Sequence, residues 1–261
     1  MGRKETDTPI GIQIARAVIE KALTSTVLRS EIIHPERLNK PREISRSGTG
    51  LVIVPNHFSR KEPVQVLQVP FGDGLMRTRE VLIPIAKHQR MFVIDVFSPL
   101  FGIKPRYIVT KETVERAKRK NMQMPVLNDG LAEFTSDVFD SLRKGGITII
   151  FPQGTRRSEL GTADDNPPTI STFLLKAKRK GVKLGFLFVG VDAHGIKDYG
   201  KAGGYNLFKK YTLTIGNTLT DEEMLERAEG NFRNADKIVY EELATLVSSR
   251  YAKGSVDENT S

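Results

Sequence analysis

Short apolar runs alternate with longer stretches of helical period along most of this chain. The runs are LVIVP at 51–55, VLIPIA at 81–86, YIV at 107–109, ITIIF at 147–151, LGFLFV at 184–189 and YTLTI at 211–215. Runs this short, rich in Val and Ile, predict strands covered on both faces. Apolar residues three and four apart predict helices over 112–120, 126–143, 169–180, 221–229 and 231–250. In the last of these, Phe232, Ala235, Ile238, Val239, Leu243, Leu246 and Val247 share a face. Strands alternating with helices imply an α/β fold: a single domain whose mostly buried, mixed sheet is flanked by helices.

The amino-terminal segment reads differently. Ile10, Ile14, Ala17, Val18, Ala22, Leu28 and Ile32 recur mostly at three- and four-residue steps, which predicts an amphipathic helix over 10–33. Thr8-Pro9 opens it, residues 24–26 are its weak point, and His34-Pro35 ends it. Packing on the domain and lying on a bilayer both remain open for its apolar face. Residues 35–50 are polar and rich in Pro, Gly and Ser, so a loop is expected. The expected organisation is an amphipathic helix and linker over 1–50, an α/β domain over 51–251 and a disordered tail over 252–261.

Charge narrows the partners. The 261 residues carry 40 Lys and Arg against 31 Asp and Glu, a net +9. The excess is +3 over residues 1–50, +6 over 51–160 and zero over 161–261. Such a field concentrates anions, whether nucleic acid, phosphorylated metabolites, an acidic carrier protein or an anionic membrane surface, although a plainly solvated basic surface is by itself the simpler account. The segment 104–120 holds seven basic residues and two acidic ones, Glu112 and Glu115. It fits a patch for a carrier or lipid headgroups, or a solvated helix face.

Several chemistries are excluded. With 0 Cys there is no disulfide, thiol nucleophile or Cys-based metal site. No phosphate-loop, dinucleotide, nucleophile-elbow or zincin motif occurs, the four histidines lack metal-ligand spacing, and no nucleic-acid-binding signature is seen. No run of about 18 apolar residues exists, and residues 1–11 lack the apolar core of a secretory signal. A cytoplasmic protein, at most peripheral to a membrane, is expected.

Two strand ends carry unusual residues. After the first strand comes Asn56-His57-Phe58-Ser59-Arg60-Lys61-Glu62. A carboxylate five positions after a histidine could fix the imidazole tautomer and stabilise the imidazolium, which makes His57 a candidate general base. A capping histidine beside an exposed Glu62 would look the same. After the fourth strand comes Phe151-Pro152-Gln153-Gly154-Thr155-Arg156-Arg157-Ser158. Gly154 allows close backbone approach, Thr155 and Ser158 offer hydroxyls and Arg156 a fork for a phosphate, or the segment is a turn with two solvated arginines.

In combination the two segments resemble the glycerolipid acyltransferase family, which includes lysophosphatidic acid and glycerol-3-phosphate acyltransferases. Asn56, His57 and Glu62 are similar to that family's N-H-x-x-x-x-D signature, and Phe151, Pro152, Gly154, Thr155 and Arg156 to its F-P-E-G-T-R-S signature. The likeness covers residues 50–195. A looser second block falls on 102–111, where Lys111 stands at the family's basic position with Arg106 and Lys104 as substitutes. A fourth block over 186–191 lacks the family's proline. Glu62 replaces Asp, Gln153 replaces Glu, and Arg157 stands before Ser158.

The resemblance implies an acyltransferase-like fold and transfer of a fatty acyl group in phospholipid biosynthesis. The donor would be a thioester of coenzyme A or acyl carrier protein, and the acceptor a hydroxyl of glycerol-3-phosphate or a lysophospholipid. It implies His57 and Glu62 as catalytic residues, with Gly154, Thr155, Arg156, Lys111, Arg106 and Gln153 binding substrate. No metal and no cofactor beyond the donor is implied. The substitutions leave a second reading open, a relative that binds lipid or phosphate without catalysis.

Overall fold

A computed structural model describes residues 30–58, 62–72, 79–90, 95, 98, 102–154, 157–193 and 210–253. Their seven strands are β1 (Ser30–Ile33), β2 (Gly50–Pro55), β3 (Val81–Ala86), β4 (Ile103–Ile108), β5 (Ile147–Ile149), β6 (Leu184–Ala193) and β7 (Tyr211–Thr220). They form one mixed sheet in the order β1-β7-β6-β2-β5-β3-β4. From β6 to β4 all neighbours are parallel. β7 runs antiparallel to β6, and β1 parallel to β7. The carboxyl ends of β6, β2, β5, β3 and β4 therefore share one edge, where an open α/β sheet places its sites.

The helices are α1 (Asn39–Arg46), α2 (Glu62–Val66), α3 (Gln68–Gly72), α4 (Lys111–Arg119), α5 (Leu131–Leu142), α6 (Thr169–Arg179), α7 (Asp221–Arg227), α8 (Ala235–Leu246) and α9 (Ser249–Lys253). Leu142 of α5 packs over Gly50, and Ile44 of α1 over Gly185. Gly50 pairs with Leu184, so Gly185 turns to the other face, and α5 and α1 cover opposite sides. All six residues of β2, at the centre, are buried. No helix among the described residues is long and apolar enough to cross a membrane.

The structure departs from the expected elements in several places. Residues 10–29 lie outside the described residues, but the last four of the expected helix are strand β1. Pairing with β7 decides this, and Gln68 holds the strand's first residue by donating to Ser30 O and accepting from Ser30 N–H, both at 3.2 Å. Four residues are too few for periodicity to tell the two conformations apart. The expected loop over 35–50 holds a 3-10 turn (Pro35–Leu38) and then α1. Leu38, Pro41 and Ile44 bury one narrow stripe of an otherwise polar helix.

β4 starts earlier than expected and contains Pro105, which an edge strand tolerates. β6 and β7 run ten residues each, past Gly190 and Gly216. These glycines are needed because α8 ends directly on the strands: a Cβ on Gly190 would lie 2.3 Å from Leu246 O. Residues 252 and 253 of the expected tail close α9, and 254–261 lie outside the described residues.

Candidate functional site

β2 and β5 are adjacent, with Ile53 opposite Ile149, and His57 and Gln153 each stand four residues further along. Parallel pairing thus delivers two segments nearly a hundred residues apart to one place. The residues flanking His57 are anchored in the interior. Asn56 is fully buried and its side-chain amide copies a strand: Oδ1 accepts from Val191 N–H at 2.6 Å and Nδ2 donates to Val191 O at 2.9 Å. Phe58 is buried between Tyr211, stacked at 6.5 Å, and the edge of Tyr251 at 5.5 Å. His57 between them is half-buried, its ring 4.5 Å from that of Phe151.

The backbone of His57 is clamped from both sides by the second segment. Its N–H donates to Gln153 Oε1 at 2.6 Å, and its carbonyl accepts from Arg157 N–H at 3.0 Å. Gln153 is 1% exposed and satisfied at both ends. Its Nε2 donates to Glu159 O at 3.1 Å and to the Tyr251 hydroxyl at 3.0 Å. A position that needs one acceptor and two donors is met by an amide and not by a carboxylate. This accounts for Gln where the resembled family has Glu. It also moves Gln153 from the expected substrate-binding set to a positioning role, because its polar atoms face protein.

Gly154 is exposed with φ +66°, a left-handed turn that glycine adopts without strain. Its N–H closes the turn onto Phe151 O at 3.0 Å. Thr155 and Arg156 lie outside the described residues. Arg157 donates from Nη2 to Asp165 O at 2.9 Å, bracing the loop that follows. Within that loop the Thr162 hydroxyl and N–H both donate to Asp165, holding its carboxyl below the usual range. Behind it, burial pushes the Tyr240 hydroxyl well above the ordinary phenol range, with Asp236 adding to the shift and Arg157 opposing it.

The other expected residues divide. Glu62 is the first residue of α2, and its side chain lies outside the described residues. Lys111 is exposed at the start of α4 on the same sheet edge. By strand spacing alone it stands about 14 Å from β2, three strands along. Arg106 lies within β4 and is committed elsewhere. Its Nε and Nη2 both bind Asp137 Oδ2, at 2.6 and 2.5 Å. With Arg79, Glu80, Lys104, Lys144 and Gly146 it lines an open cleft of about 370 Å³. Several of these residues precede or begin their strands, so the cleft opens toward the amino edge, away from His57.

Asn56 as a structural clamp, Arg157 as the residue closing on His57, and Tyr251 were not singled out in these roles by sequence. Asn56 sits within the first motif; Tyr251 is 98 residues from the Gln153 it bonds and had no local signal. Among the described residues no group of three or more His, Asp or Glu is placed to hold a metal ion. Compared with known proteins, the chain matches no family model and no curated protein.

Proposed function

We propose that this chain is an O-acyltransferase of the glycerolipid acyltransferase kind, moving a fatty acyl group from a coenzyme A or acyl carrier protein thioester to a hydroxyl beside a phosphate. The observation that supports this is the joining of the two motif segments, with His57 bonded through its own backbone to Gln153 and Arg157. In this reading His57 takes the proton from the acceptor hydroxyl as its oxygen bonds to the thioester carbonyl carbon. The carbon–sulfur bond then breaks and the proton passes from His57 to the departing thiolate. Glu62 is assigned the task of orienting His57, and Arg156 with the Gly154 turn that of holding the acceptor phosphate. Lys111, on the same edge, is assigned the donor's or acceptor's negative charge. Holding both reactants can lower the barrier by several kcal/mol (on the order of 7 or more), so a weakened clamp reduces turnover as well as binding.

The test is thiol release from acyl-CoA and from acyl carrier protein, with glycerol-3-phosphate and lysophospholipids as acceptors. Acceptor-dependent release that falls at least a hundredfold in His57→Ala, with an unchanged melting temperature, is expected. Full activity in that variant refutes the base assignment. Release that ignores the acceptor indicates a hydrolase, and phospholipid binding without any release indicates a binding protein.

A further inference from the structure

Among the described residues, the exposed large hydrophobic side chains are Met122, Met124, Val126, Leu127 and Leu131, all within one ten-residue stretch. Val126 is 77% and Met122 61% exposed. Apolar side chains scattered singly over a surface need no explanation, but a contiguous group does.

The stretch is held on a rigid frame. α4 starts on a Thr110–Thr113 capping box and ends in a left-handed Asn121 (φ 49°), with Met122 N–H bonded back to Ala117 O at 3.0 Å. The chain returns beside the end of β4, where Asn128 N–H donates to Val109 O at 2.9 Å and Val109 N–H to Asp129 O at 3.0 Å. Gly130 (φ +80°) seats so tightly that a Cβ would lie 2.4 Å from Tyr107 O. The apolar tip is therefore held away from the core.

Its charge surroundings are predominantly positive. Arg116, Lys118 and Arg119 on the last turn of α4 and Lys120 just after it are all exposed, and residues 121–128 carry no charge. Of the acids nearby, Glu112 lies 3.4 Å from His88 Nε2 and Asp129 3.4 Å from Lys87 Nζ, while Glu115 and Glu133 are exposed, so the four cations outnumber these last two acids two to one.

We infer that residues 116–131 are a membrane-docking surface: Met122, Met124, Val126 and Leu127 enter the acyl region of an anionic bilayer while the four cations contact its headgroups. Charge complementarity selects the occupant. A bilayer takes up an apolar tip and a ring of cations together. An acidic protein surface without an apolar patch would satisfy the cations but leave Val126 and Leu127 in water. The surface stands on its own exposure and charge and does not depend on the acyl-transfer reading. It projects beyond the carboxyl end of β4, the edge on which His57 lies.

The test uses the full chain and vesicles of phosphatidylcholine with or without phosphatidylglycerol. The chain has 0 Trp, so Val126→Trp introduces a single reporter. Its emission is expected to shift to the blue on anionic vesicles and to be quenched by brominated acyl chains. The variant Met124→Ser/Val126→Ser/Leu127→Ser is expected to bind at least tenfold more weakly with an unchanged melting temperature. Lys118→Gln/Arg119→Gln/Lys120→Gln is expected to lose about fivefold per charge on anionic vesicles and nothing on neutral ones. Vesicle binding unchanged in the serine variant, or no blue shift, overturns the proposal. So does a dimer that the serine variant dissolves, or a defect confined to turnover with acyl carrier protein. Thiol release with a water-soluble acceptor, measured without vesicles, reads the chemistry separately, so either idea can fail without the other.

Discussion

Replacing Gln153 by Glu, the residue of the resembled family, tests whether the amide is there to donate. In the protein Nε2 faces Glu159 O at 3.1 Å and Leu160 O at 3.4 Å, while Oε1 accepts from His57 N–H. A protonated Glu could still donate to one carbonyl, and the Tyr251 hydroxyl could turn to donate to it. An ionised Glu keeps at most the Tyr251 hydroxyl as a donor to that oxygen and sets its buried charge against the two carbonyl oxygens. An unsatisfied buried acceptor costs about 1–3 kcal/mol, and more when charged, so a deficit of about 3 kcal/mol is expected at pH 8. That deficit corresponds to a folded-state pKa about two units above the unfolded value near 4.3. A raised carboxyl pKa penalises the fold only where the group ionises in the unfolded chain. The deficit should therefore be small below about pH 4, near 1 kcal/mol at pH 5, and level above about pH 6.5. At roughly 2–4 °C per kcal/mol, Gln153→Glu should melt about 6–12 °C below the parent at pH 8 and about 2–4 °C below it at pH 5. Gln153→Ala, which cannot ionise, should show a deficit independent of pH. A deficit in Gln153→Glu that is the same at both pH values, or a variant as stable as the parent at pH 8, would refute the reasoning.

Two further substitutions probe contacts made across the fold. Asn56→Ala leaves the N–H and carbonyl of Val191 without their side-chain partner in a buried setting; a loss of about 2–4 kcal/mol is expected in urea unfolding, and a change below 1 kcal/mol would refute the clamp. Asp236, 3% exposed on α8, accepts from Ile170 N–H at 2.8 Å and Ser171 N–H at 3.0 Å, capping α6 from another helix. Asp236→Ala should lose about 2 kcal/mol and speed amide exchange at those two residues more than at the carboxyl end of α6; uniform exchange across the helix would refute it.

Much of the framework is legible in the order of residues. The runs at 51–55 and 81–86 are strands within a residue of their expected bounds, helices α5, α6, α7 and α8 fall within the expected spans, and α4 is shifted by one residue from its own. These segments bury apolar side chains at one regular period, and a period is a local property. The segment 30–46 escaped because neither element there has a long enough apolar pattern: β1 is four residues that take their conformation from β7, and α1 buries only a narrow stripe. The expected runs stop at 189 and 215, yet β6 and β7 continue through Gly190 and Gly216, the places where Leu246 of α8 meets the strands.

The chemistry-bearing residues divide along the same line. Sequence alone singled out His57 and the turn from Phe151 to Arg157, because each follows an apolar run and carries side chains a turn does not require. It did not distinguish the neighbours by what they face. Gln153 looks like a binding residue in the chain but spends its amide on His57, Glu159 and Tyr251; Arg106 looks like a spare cation but is bound by Asp137. Local pattern determines which segments become strands and helices, since burial follows period. Partners far apart in the chain are chosen by strand order and helix packing, and these exist only once the whole sheet has formed.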